Sequence, residues 1–145
     1  MSSPDVWTDA RARIEDVAAT LGLPVAWPNE AFPEPQPYDP ATGAPFHWIA
    51  VEISGDLSEP MELGREGVWE ETGTLHLHLI VPTGSGIETA LTERKALVGA
   101  FRGLPPAAVT YRGAILDPGG PSEGDGNWFR LGARIPYSYQ DFTPA

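Results

Sequence analysis

The chain has 145 residues, 41% of them hydrophobic and 20% charged, with a formal net charge of −11 and no cysteine. That length suits one domain with a single apolar core, and the lack of cysteine excludes disulfides, thiolate metal sites and a cysteine nucleophile. Twenty acidic residues against nine basic ones leave little to neutralise phosphate, so tight nucleic-acid binding is not expected.

The opening Met1-Ser2-Ser3-Pro4-Asp5 lacks the basic and apolar regions of a signal peptide, and no apolar run approaches the ~20 residues that cross a bilayer. Neither export nor a membrane partner is expected. Ser3-Pro4 is a helix-start signal, because Ser can cap a free N–H and Pro at the first position has none to lose. Val6, Trp7, Ala10, Ile14, Val17, Ala18 and Leu21 follow at three- and four-residue spacing up to Gly22, which predicts an amphipathic helix over 4–21.

A short strand is predicted at 25–27. After it, Pro28, Pro33, Pro35, Pro37, Pro40 and Pro45 rule out a regular helix or ladder, so residues 28–45 form a Pro-rich arm. A connection this long can pack against its own domain, dock on a partner subunit or stay disordered, and it carries Phe32 and Tyr38. Strands are predicted at 46–53 and 73–81, the second with Leu75, Leu77, Leu79 and Val81 on one face. Residues 55–72 between them hold two short β-compatible pieces, read as a hairpin or edge excursion.

The turn at Pro82-Thr83-Gly84-Ser85-Gly86 leads into a helix with Ile87, Leu91, Leu97, Val98 and Phe101 as its apolar stripe, ending near Gly103. A strand over 108–116, a turn over 117–126 and a strand over 128–139 complete the chain. The expected fold is α+β: a single domain over 1–145, with a mostly antiparallel sheet packed by two helices, a Pro-rich arm and projecting hairpins.

No set of residues announces a reaction. His76 and His78 share one strand face and His47 could join them at a metal, but a polar pair opposite the Leu75/Leu77/Leu79 face accounts for the two equally well. Gly84-Ser85-Gly86 lacks the Lys-Ser or Lys-Thr of a phosphate loop, and Glu88 would repel the anion. Asp117, Glu123 and Asp125 do not have calcium-loop spacing. The predictions are therefore no catalytic residue, no metal and no cofactor. The acidic run that includes Glu59, Glu62, Glu66, Glu70 and Glu71 reads as a solvated or channel-facing surface.

The N-terminal helix with Leu23-Pro24-Val25-Ala26-Trp27-Pro28-Asn29-Glu30-Ala31-Phe32, then Trp48-Ile49-Ala50-Val51, the 73–81 strand with Gly84-Ser85-Gly86, and Gly126-Asn127-Trp128-Phe129 with Ile135-Pro136-Tyr137, together resemble the tail terminators of long-tailed bacteriophages and gene transfer agents. The resemblance implies a structural ring, usually of six subunits, that caps the tail tube and meets the head–tail connector, or stopper. Its partners would be further copies of itself, the tail tube protein and the connector, with DNA passing through without specific binding. It would assemble in the host cytoplasm and end at the tail–head junction of the particle. On that reading Trp27, Phe32, Tyr38 and Trp69 are candidate subunit or partner contacts, and Glu59, Glu62, Glu66, Glu70 and Glu71 a candidate lumen surface. The alternatives are another head–tail connector or completion protein, or a small metal- or ligand-binding protein built on His47, His76 and His78.

Overall fold

The computed structural model describes residues 3–61, 67–105, 107–121 and 126–143, with Phe142 and Thr143 by their backbone alone. Helix α1 (Pro4–Leu21) starts with Pro in its first turn and stops at Gly22, whose φ of 71° is the left-handed cap that glycine adopts without strain. Ser3 does not cap the helix with its side chain. Its amide and hydroxyl both donate to the Glu71 carboxylate instead. Val6, Ala10, Ile14 and Ala18 form the buried face of α1.

Strand β1 (Val25–Ala26) pairs in parallel with β2 (Trp48–Pro60), which runs antiparallel to β3 (Gly67–Pro82). Helix α2 (Glu88–Gly99) follows, then the short strands β4 (Val109–Tyr111), β5 (Ile115–Leu116) and β6 (Gly120–Pro121), and finally β7 (Trp128–Thr143). The sheet order is β1-β2-β3-β7-β4, with β5 and β6 pairing further along β7. The predicted strand over 108–116 is thus two pieces. Arg112 N–H still reaches Pro136 O at 2.9 Å, but Gly113 turns to φ 32° and pairing resumes only at Ile115.

The region read as separate short pieces within 55–72 is the continuation of β2 and β3 over its described part, with one register shift between Gly55 and Leu57. β7 pairs with β3 as far as Gly67↔Thr143. Beyond the last β4 pair, Val109↔Tyr139, the sheet therefore narrows to a three-stranded arm.

Strand alternation sorts the residues. Leu75, Leu77, Leu79 and Val81 meet Ile49, Val51, Leu131, Ile135 and the two helices in the main core. Val6, Tyr137 and Tyr139 form a smaller cluster beside it. On α2 it is Ala90, Leu97 and Val98 that are buried, followed by Phe101, whereas Ile87 and Leu91, expected in the same stripe, are exposed. The helix also ends at Gly99, earlier than its apolar spacing suggested.

Candidate assembly surfaces

The Pro-rich segment folds back on its own domain. Arg11 holds Glu30 as an ion pair and lies over the Trp27 ring at 4.5 Å, while Trp27 meets Trp7 edge-on at 5.5 Å. Phe32 stacks on Trp48 at 4.9 Å, and Trp48 meets Trp128 edge-on at 5.8 Å. Tyr38 is exposed but donates to Thr83 O at 3.1 Å. The tip closes through the Tyr38↔Pro45 bridge and the Phe46 N–H to Pro37 O bond at 2.9 Å. Trp27 and Phe32 are half-buried within the subunit; Tyr38 and Trp69 remain open to a partner.

Of the acidic candidates, Glu62 and Glu66 lie outside the described residues. Glu71 requires a correction: it is 9% exposed and accepts from Ser3 N–H, from the Ser3 hydroxyl and from Tyr137 Oη, the last at 2.6 Å. A carboxylate filled by three donors inside the fold is not part of a channel surface. Its position on the core-facing side of β3 is what turns it inward. Glu59 and Glu70 stand directly opposite each other across β2 and β3. With them on the outer face of the arm are Leu57 and Met61, 54% and 51% exposed.

Two further carboxylates tie α1 to the sheet. Tyr139 donates to Asp5 and Tyr111 to Asp9. The bond to Asp5, with burial, pushes the Tyr139 phenol up to about 12; burial and the bond to Asp9 push Tyr111 up as well.

The histidines do not converge. His47 Nδ1 pairs with Glu93 Oε1 at 2.5 Å, beside an open cleft of about 780 Å³ at the start of α2. His76 and His78 stack, half-buried, on the sheet face opposite Leu75, Leu77 and Leu79 with ring centres 6.4 Å apart, and His78 Nε2 lies 4.0 Å from Glu52. Burial lowers the His78 pKa below its ordinary value. Among the described residues, no three His, Asp or Glu side chains group as a metal site would need, so the His47/His76/His78 alternative is not assembled. Ser85 spends its hydroxyl on Pro82 O at 2.7 Å, with Gly84 at φ 85° and Gly86 at φ 82°, a tight strand-to-helix turn.

On the opposite edge, α2 and β5 enclose a groove of about 300 Å³ lined by Leu91, Arg94, Lys95, Val98, Arg102 and Leu116. Arg94 is turned inward, onto Asp117 O and Gly132 O at 2.8 and 3.0 Å. Lys95 and Arg102 are exposed.

A family model for the phage tail terminator protein matches residues 5–137. The chain belongs to the phage tail terminator family. No curated protein matches it in sequence. Solved structures do match, 25 chains in all; one covers 100% of this chain and 100% of its own length at 18% identity and TM-score 0.54, a likeness of fold. Membership of the tail terminator family makes the chain a structural component of the phage tail and so of the virion.

The sequence reading of this tail terminator names Glu59 and Glu70 on the arm, but not the apolar Leu57 and Met61 beside them nor the α2–β5 groove. A signal was present: Leu91, Lys95, Val98 and Arg102 recur at four-, three- and four-residue steps, a second stripe beside the buried one. The stripe is hard to separate from the core by spacing alone, because Leu91 and Val98 also fit one apolar face although only Val98 is buried.

Proposed function

We propose that this protein is the subunit of a ring, of six copies, that caps the tail tube, stops its growth and presents a docking face to the head connector. The observation that carries the reading is the family match over residues 5–137. The fold is compatible with it. A two-helix core carries a projecting three-stranded arm with exposed Leu57, Met61 and Trp69, and Tyr38 is exposed where it donates to Thr83 O, surfaces that a lone subunit leaves uncovered. Capping by a ring needs no reaction; it needs a surface matched to the last ring of the tube on one side and no equivalent end on the other. Several weak contacts engaged together then suffice. A net charge of −11 per subunit gives such a ring a negative potential, so DNA passes without adhering.

Removing the protein from its particle-producing host tests this. The expected result is tails of irregular, excessive length, unattached to heads that still fill with DNA. Tails of normal length joined to heads would overturn the reading.

A further inference from the structure

We infer that the outer face of the β2–β3 arm docks into the α2–β5 groove of the next copy of this chain, with Leu57 and Met61 against Leu91 and Leu116, and Glu59 and Glu70 against Lys95 and Arg102. This deepens the ring reading and rests on it, naming the surfaces through which neighbouring subunits hold each other.

Each half is incomplete alone. Glu59 lies directly across from Glu70 in the β2–β3 register, and like charges in opposed positions are unfavourable; neither forms an ion pair among the described residues. Leu57 and Met61 flank them, more than half exposed. The groove is the counterpart: a floor of buried Val98, walls of Leu91 and Leu116 at 41% and 53% exposure, and two cations, Lys95 and Arg102, that also lack ion pairs among the described residues. Two cations without an ion pair among the described residues, set around one apolar groove, complement an acidic, apolar edge.

A subunit cannot fill its own groove. Leu116 pairs with Ala133, which pairs with Leu77, whereas Glu70 lies seven residues earlier on β3. At ~3.3 Å per residue the two are separated by roughly 23 Å along a continuous strand. The occupant is therefore another molecule, and a second copy of this chain carries the complementary edge. Arm and groove are different surfaces, so the contact is head-to-tail and every copy offers one of each, as a closed ring requires.

The absence of cysteine makes the test direct. Assembled particles carrying Met61→Cys together with Leu116→Cys are treated with a short bismaleimide and run under denaturing conditions. The expected result is a ladder of cross-linked multimers, with each single variant giving no species beyond a dimer. Glu59→Lys with Glu70→Lys should cut the ladder about tenfold, as should Lys95→Glu with Arg102→Glu, and all four reversals together should restore it. Particles that hold several copies of the double-cysteine chain but yield no ladder would overturn the docking while leaving the ring intact. Particles in which the wild-type protein is absent or present as a single copy would sink the ring reading itself. Failure of the fourfold reversal to restore the ladder, with every variant folded by circular dichroism, would also overturn the charge pairing.

Discussion

Tyr137 donates its phenolic proton to Glu71 at 2.6 Å, across a glycine. Gly73 is the register partner of Tyr137, and a Cβ at that position would lie 2.2 Å from Ser54 O and 2.5 Å from Tyr137 Oη. The glycine thus keeps clear the path by which the tyrosine reaches the carboxylate, and the same carboxylate holds Ser3 at the head of α1.

Breaking this bond leaves a buried carboxylate short of a donor. Tyr137→Phe should lower unfolding free energy by about 1.5–3 kcal/mol, the range for a hydrogen bond to a charged group, read from urea unfolding. Gly73→Ala should destabilise at least as much, since its Cβ meets backbone that cannot move aside cheaply. An unchanged urea midpoint in Tyr137→Phe would show that the bond contributes nothing net.

Phe32 and Tyr38 should separate by function. Phe32 stacks on Trp48, so Phe32→Ala should cost about 1–3 kcal/mol of subunit stability. Tyr38→Ala loses one exposed hydrogen bond and should cost less than about 1 kcal/mol, yet reduce head–tail joining in particles. Thermal melts of both variants beside counts of joined particles check the split.

His78 and Tyr139 give stability opposite slopes at the two ends of the pH range. Burial depresses the His78 pKa in the folded state, so between the ordinary value of ~6.5 and that lower value the unfolded chain binds more protons, and stability falls as pH falls. Tyr139 is raised to about 12, so its contribution is complete below the ordinary ~10 and is lost as pH rises through the folded value. His78→Gln should flatten the acid limb of Tm against pH and Tyr139→Phe the alkaline limb, each leaving the other limb unchanged.

Salt distinguishes two roles for Glu59 and Glu70. If they meet Lys95 and Arg102 of the next subunit, self-association should weaken as salt rises, because the Debye length shortens from ~30 Å at 0.01 M to ~8 Å at 0.15 M. If they line a channel and repel one another, association should strengthen instead. Sedimentation of the protein on tube ends across that range gives the sign.

Local patterning determined much of this protein. The periodicity of Val6, Ala10, Ile14 and Ala18, the stop at Gly22 and the alternation of Leu75, Leu77 and Leu79 are set by neighbours along the chain, which is why α1, the centre of the sheet and the α+β class were legible in the sequence. So was the family, whose features run along the whole chain. Tertiary packing decided the rest. Glu71 belongs to an acidic run by sequence, but it points into the core because β3 continues past Gly73 in unbroken alternation beside Tyr137 of β7. Leu91 and Leu97 both read as apolar helix positions, yet one is open and the other buried, because α2 crosses the sheet on a narrower stripe than its composition offers. His47, His76 and His78 could have met at one site by spacing alone. His47 instead turns to Glu93 on α2, while the other two stay half-buried on the sheet face away from the main core. Which carboxylate is sealed, which leucine is left for a partner and which histidines meet depend on contacts between residues far apart in the chain, and those contacts exist only once the sheet and helices have packed.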